Sequence, residues 1–105
     1  MRAVEVLLPE PITFLVHRAG DDVAVAVRDA EPGESPGAYL DDGARITIAV
    51  RMPIPLGHKV ALHDLAAEES VTEYGETIGL ARVVIAKGDL VHTHNLRSAR
   101  WQHSL

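Results

Sequence analysis

The sequence predicts an all-β domain of short strands with little helix. Apolar residues recur at every second position in several short stretches, which is the period of a strand with one buried face. Turn signals built from Gly, Asp and Pro separate these stretches at close spacing. Helical periodicity is confined to a candidate turn at residues 63–69, too short to be stable alone. Under about a fifth of the residues are therefore expected in helix.

The elements follow in order. Residues 12–16 (ITFLV) are rich in β-formers and end at His17. Residues 23–27 (VAVAV) place Val23, Val25 and Val27 on one side of a strand. Residues 45–51 (RITIAVR) put Ile46, Ile48 and Val50 on one face, with Thr47 and Ala49 on the other. Residues 59–62, 70–74, 77–80, 81–86 and 90–93 continue the series. Turns are expected at Gly20-Asp21-Asp22, Pro32-Gly33, Asp42-Gly43, Leu56-Gly57, Gly75 and Lys87-Gly88-Asp89. The Pro/Gly/acidic stretch 31–42 (EPGESPGAYLDD) carries little apolar surface and reads as an exposed loop. An internal echo links residues 27–34 (VRDAEPGE) to 62–69 (LHDLAAEE), and residues 85–89 (IAKGD) repeat its end.

The chain has 105 residues, 47% hydrophobic and 24% charged, which suits one soluble domain with one modest core. With four aromatic residues, that core must be filled by Val, Ile, Leu and Ala. The net charge is −5 and the basic residues are scattered, so nucleic acid is not expected as a partner. No cysteine is present, which excludes a disulfide scaffold, a thiolate metal site and a Cys nucleophile. No apolar run reaches the roughly 20 residues of a membrane-spanning helix, and the first residues lack a signal-peptide pattern. No membrane association and a cytoplasmic location are the expectations. The apolar stretch 4–8 and exposed strand edges invite self-association or pairing with a larger chain.

Six histidines are the residues most able to carry chemistry. His92-Thr93-His94 falls at the end of an expected strand, where alternate side chains share a face and two imidazoles could bind one metal ion. Two solvated histidines on a strand edge would give the same spacing. His17 precedes Asp21 and Asp22, which serve equally as turn-forming carboxylates. Gly57-His58-Lys59 offers an imidazole and an ammonium to an acidic substrate. His63 and His103 read as surface residues. Nothing resembles a Ser-His-Asp triad, a phosphate loop or a dinucleotide fingerprint.

Taken together, IPLGHKVAL (54–62), VTEYGETIGLA (71–81) and GDLVHTHN (88–95) resemble the SAF domain of the altronate/galactarate dehydratase family. His17 with DDVAVA (21–26) is similar to that domain's opening segment. The similarity spans about residues 12–95. Asp22 stands where the family pattern has Asn, Arg18 where it has Pro, and Glu68 at a turn position that often holds Gly.

The resemblance implies a β-clip, a folded ribbon of short strands. It also implies a division of labour, in which this domain accompanies a large catalytic region, fused to it or as a separate small subunit. The small-subunit form also occurs in sulfo-lyases that eliminate sulfite from a 2-hydroxy acid. The implied partners are a large catalytic subunit and a hydroxy-acid substrate, in a homo- or hetero-oligomer inactive without the large chain. The implied chemistry is removal of a proton next to a carboxylate, followed by loss of water or sulfite, with a divalent metal, iron among them, stabilising the enediolate. On this basis His92, His94, His17 and Asp21 are the candidate metal contacts, and His58 and Lys59 the candidate substrate contacts. The competing reading is a non-enzymatic SAF-type ligand-binding or oligomerisation module.

Overall fold

A computed structural model describes residues 11–98. Among these, nine strands and no helix are present: β1 (Phe14–Val16), β2 (Val23–Ala26), β3 (Gly33–Tyr39), β4 (Arg45–Val50), β5 (Lys59–Ala61), β6 (Ser70–Glu73), β7 (Glu76–Ala81), β8 (Leu90–Val91) and β9 (Leu96–Ser98). The protein is all-β. Among the described residues, no helix is long and apolar enough to cross a membrane. The apolar stretch 4–8 and His103 lie outside the described residues.

Six strands form one sheet in the order β4-β3-β1-β2-β5-β8, and three form a second in the order β6-β7-β9. β2 is the pivot between two apolar clusters. Successive side chains of a strand face opposite ways, so Ala24 and Ala26 enter a cluster with Phe14, Val16, Ile48, Ile54 and Val60. Val23 enters the other, with Ala61, Leu65, Val71, Ala81, Ile85 and Val91. A strand buried on both faces reads as continuous Val and Ala, which is what residues 23–26 show.

Stretch 31–42 departs from the expectation of a loop. Residues 33–39 form β3, the longest described strand, paired antiparallel with β4 from Gly33↔Val50 to Ala38↔Arg45 and parallel with β1 from Phe14↔Gly37 to Val16↔Tyr39. Its sequence, GESPGAY, lacks large apolar residues because small ones are needed there. A Cβ at position 37 would sit 3.2 Å from the Phe14 carbonyl oxygen and 3.3 Å from Ile46 Cγ1. Glycine thus lets β3 close on Phe14, and neighbours on both sides supply the order that composition does not.

Three smaller differences arise. Residues 63–69 make no helical turn: Leu65 bridges Ile85 in extended conformation. Residues 81–86 are not one strand either, because β7 ends at Ala81 and only Ile85 pairs again. Strand β8 stops at Val91, so His92-Thr93-His94 lies in a turn, where two-residue alternation does not set the two rings side by side.

The internal echo is a repeated hydrogen-bond device. Ala30 and Ile54 exchange both backbone bonds (2.8 and 2.9 Å), and Leu65 and Ile85 do the same (2.8 and 2.9 Å). Each of Ile54, Leu65 and Ile85 opens a turn whose fourth residue has positive φ: Gly57 at 86°, Glu68 at 71°, Gly88 at 89°. The N–H groups of those three residues donate to the carbonyls of Ala26, Ala81 and Ala61 at 2.8, 2.7 and 2.9 Å. One turn geometry, used three times, folds the ribbon back on itself.

Candidate functional site

Asp21 and Asp22 fasten the β6–β7 hairpin onto the loop after β1. Asp21 is buried, and its carboxylate accepts the N–H groups of Arg18 (3.2 Å), Tyr74 (3.0 Å) and Gly75 (3.1 Å). Asp22 accepts the Thr72 N–H at 2.7 Å and donates its own N–H to the Thr72 carbonyl at 2.8 Å. Val71 pairs with Gly79 and Thr72 with Thr77, which leaves Ile78 as an extra residue in β7. Carboxylates receiving several backbone N–H groups are strong anchors. The clamp carries Glu73 and Tyr74 to the end of β1.

There a polar cluster assembles. Glu73 shares the inward face of β6 with Val71 and is 4% exposed. Its Oε2 lies 3.3 Å from His17 Nδ1, and its Oε1 lies 3.7 Å from Lys59 Nζ. Burying a carboxylate is costly unless it is paired, and these two groups are its partners. The two atoms are in charge contact without a hydrogen bond between them, and neither has a hydrogen-bond partner elsewhere. The Tyr74 ring stacks on the His17 imidazole with centroids 3.9 Å apart, and its hydroxyl lies 2.8 Å from His17 Nε2. Lys59 reaches this cluster because β5 pairs it with Val25, on the side of β2 that faces the β6–β7 sheet.

Two further histidines meet nearby in the chain. Lys59 pairs with Val91, so the residues flanking that pair, His58 and His92, face one another; their rings lie 5.0 Å apart, tilted by 48°. Asn95 shapes the turn that carries His92. Its Oδ1 accepts the His92 N–H at 2.9 Å and its Nδ2 donates to the Leu90 carbonyl at 2.8 Å. His94 is exposed in the same turn.

The sequence candidates thus fall into two groups. His17, Asp21 and Lys59 gather around Glu73 and Tyr74, with Asp21 occupied by backbone N–H groups. His58 and His92 form a separate pair. Among the described residues, no three His, Asp or Glu side chains converge so as to hold a metal ion. His63, read as a surface residue, is half exposed, but its Nε2 lies 2.6 Å from Asp22 Oδ1.

Glu73 and Tyr74 were not among the sequence candidates. Period-two alternation from Val71 could have flagged Glu73, since an acidic residue on the buried face of a strand needs a partner. Tyr74 gives no such sign: its role follows from the turn that holds it.

The chain is thus an all-β ribbon with ionisable groups clustered at one hairpin. The family model for the altronate/galactarate dehydratase SAF domain matches residues 12–99, and the chain belongs to that family. It is 39% identical over 92 residues to the (2R)-sulfolactate sulfo-lyase subunit alpha of Chromohalobacter salexigens, covering 86% of this chain and 98% of that subunit. The corresponding subunit of Paracoccus pantotrophus is 40% identical over 60 residues, or 57% of this chain and 90% of that one. Altronate dehydratase of Escherichia coli is 40% identical over 85 residues, which are 81% of this chain but only 16% of the enzyme.

Proposed function

We propose that this chain is the small, SAF-type subunit of a lyase acting on a 2-hydroxy acid and works with a separate large catalytic chain. One observation carries the reading: the match runs through 98% of a sulfo-lyase alpha subunit, whereas it occupies 16% of the dehydratases. The reaction class is elimination. A base removes the proton next to the substrate carboxylate, and water or sulfite departs from the neighbouring carbon.

Lys59 supports this role, because its side chain is one-third exposed and its 3.7 Å contact to Glu73 leaves donors free for a substrate carboxylate. His58, beside it in sequence, offers a second polar contact. The metal that the resemblance implies, iron among the candidates, would in this reading take further donors from the large chain, since no three His, Asp or Glu side chains converge among the described residues.

The test is co-expression with a large-subunit relative, size-exclusion chromatography, and an elimination assay on (2R)-sulfolactate, altronate and galactarate. Association, and turnover that requires both chains, is the expected result. A large chain fully active alone, or no association, would overturn the reading.

A further inference from the structure

Three observations converge on Tyr74. First, it has a backbone φ of 59°, in the left-handed region that bulky side chains avoid. With Gly75 at 73°, it forms a two-residue hairpin turn whose first position normally favours Asn, Asp or Gly. Such strain persists only where surrounding contacts impose it, and it concentrates at functional sites. Second, the residue is more than half exposed although it carries a large aromatic side chain. Third, its hydroxyl lies against His17 Nε2, while the other ring nitrogen of His17 faces the buried Glu73 carboxylate.

We propose that Tyr74 is a catalytic residue this chain contributes to the elimination, with His17 and Glu73 as the positioning residues behind it. The inference rests on the lyase reading given above. The proposal requires the proton of neutral His17 on Nδ1, which lies 3.3 Å from Glu73 Oε2, so that Nε2 is the acceptor beneath the phenol. The ring planes differ by 22° and the hydroxyl lies 2.8 Å from Nε2, so the transfer requires the phenol to turn until its O–H meets the Nε2 lone pair in the imidazole plane.

The proton steps balance. The substrate C–H bond breaks and its electron pair forms the carbon–carbon double bond as the leaving group departs with its own pair. The proton goes to the Tyr74 oxygen, the phenol's own proton passes to His17 Nε2, and the resulting imidazolium faces the Glu73 carboxylate. This is the logic of an activated hydroxyl backed by an imidazole and a carboxylate.

Two measurements test it. In the assembled complex, Tyr74→Phe should lower kcat by about 100-fold or more with little change in KM, because a positioned proton-transfer group contributes that much. Unchanged kcat in a complex that assembles normally would overturn the proposal and leave the lyase reading intact. In the isolated chain, imidazole 15N shifts should show His17 protonated at Nδ1 in its neutral form. A proton on Nε2 would overturn the proposal whether or not a large partner is found.

Discussion

Asp29 and Asp64 hold equivalent posts in two copies of the same turn. Asp29 Oδ1 accepts the Leu56 N–H at 2.8 Å, and Asp64 Oδ1 accepts the Lys87 N–H at 2.8 Å. In each case the Asp immediately precedes a bridging residue, Ala30 or Leu65, and the N–H lies two residues beyond its bridge partner, Ile54 or Ile85. Spatially the echo in the sequence is therefore a doubled unit. Each Asp ties one arm of the ribbon to the other.

Asp29→Ala and Asp64→Ala should each destabilise the domain by about 1 kcal/mol, the usual net value of an accepted backbone hydrogen bond. The two losses should add in the double variant, because the bonds share no partner. Urea denaturation monitored by circular dichroism is the measurement. A neutral effect at either position would show that water replaces that carboxylate without cost.

The positive-φ turns make a sharper contrast. A Cβ at Gly88 would lie 2.2 Å from the Ala49 carbonyl oxygen, whereas one at Gly57 meets nothing within 4 Å. Gly57→Ala should then cost only the left-handed backbone penalty of about 1–2 kcal/mol, and Gly88→Ala clearly more, since the strands must part. Glu68 already bears that penalty, and its 3.8 Å pair with Arg97 is exposed and weak. Glu68→Gly should stabilise the domain by about 0.5 kcal/mol, after the added flexibility of the unfolded chain is subtracted. Thermal melts should place Glu68→Gly above the natural chain, Gly57→Ala below it and Gly88→Ala lowest.

The His63–Asp22 contact predicts a pH effect. Burial lowers the His63 pKa. The hydrogen bond from Nδ1 to the Asp64 carbonyl, the contact with Asp22 and the charges of Asp22 and Glu69 outweigh it and raise the group above its ordinary value of 6.5. A raised folded-state value means that the protonated ring stabilises the fold. The contribution is complete below 6.5 and is lost as pH rises through the higher folded value. The ring is half exposed, so the effect should stay under about 1 kcal/mol. Melting temperatures of the natural chain and His63→Ala should differ at pH 5.5 and converge at pH 8.5.

The alternation in residues 23–27 and 45–51, together with the Gly and Asp turns, determined by itself that the protein is all-β. Periodicity reports which face of a strand is buried, and in VAVA and RITIAV that information is local. The order IPLGHKVAL, VTEYGETIGLA, GDLVHTHN was specific enough to name the family, because spacing between motifs survives where single residues vary. Three things were left to the tertiary structure. GESPGAY became a strand only because Phe14 and Ile46 close around Gly37, a contact between distant parts of the chain. The HTH segment left its strand because Asn95 draws the backbone into a turn after Val91. Glu73, His17, Lys59 and Tyr74 became one cluster only because Asp21 and Asp22 pin a hairpin to a loop some fifty residues earlier. A strand's period records burial, but the partner of a buried charge is chosen across the fold.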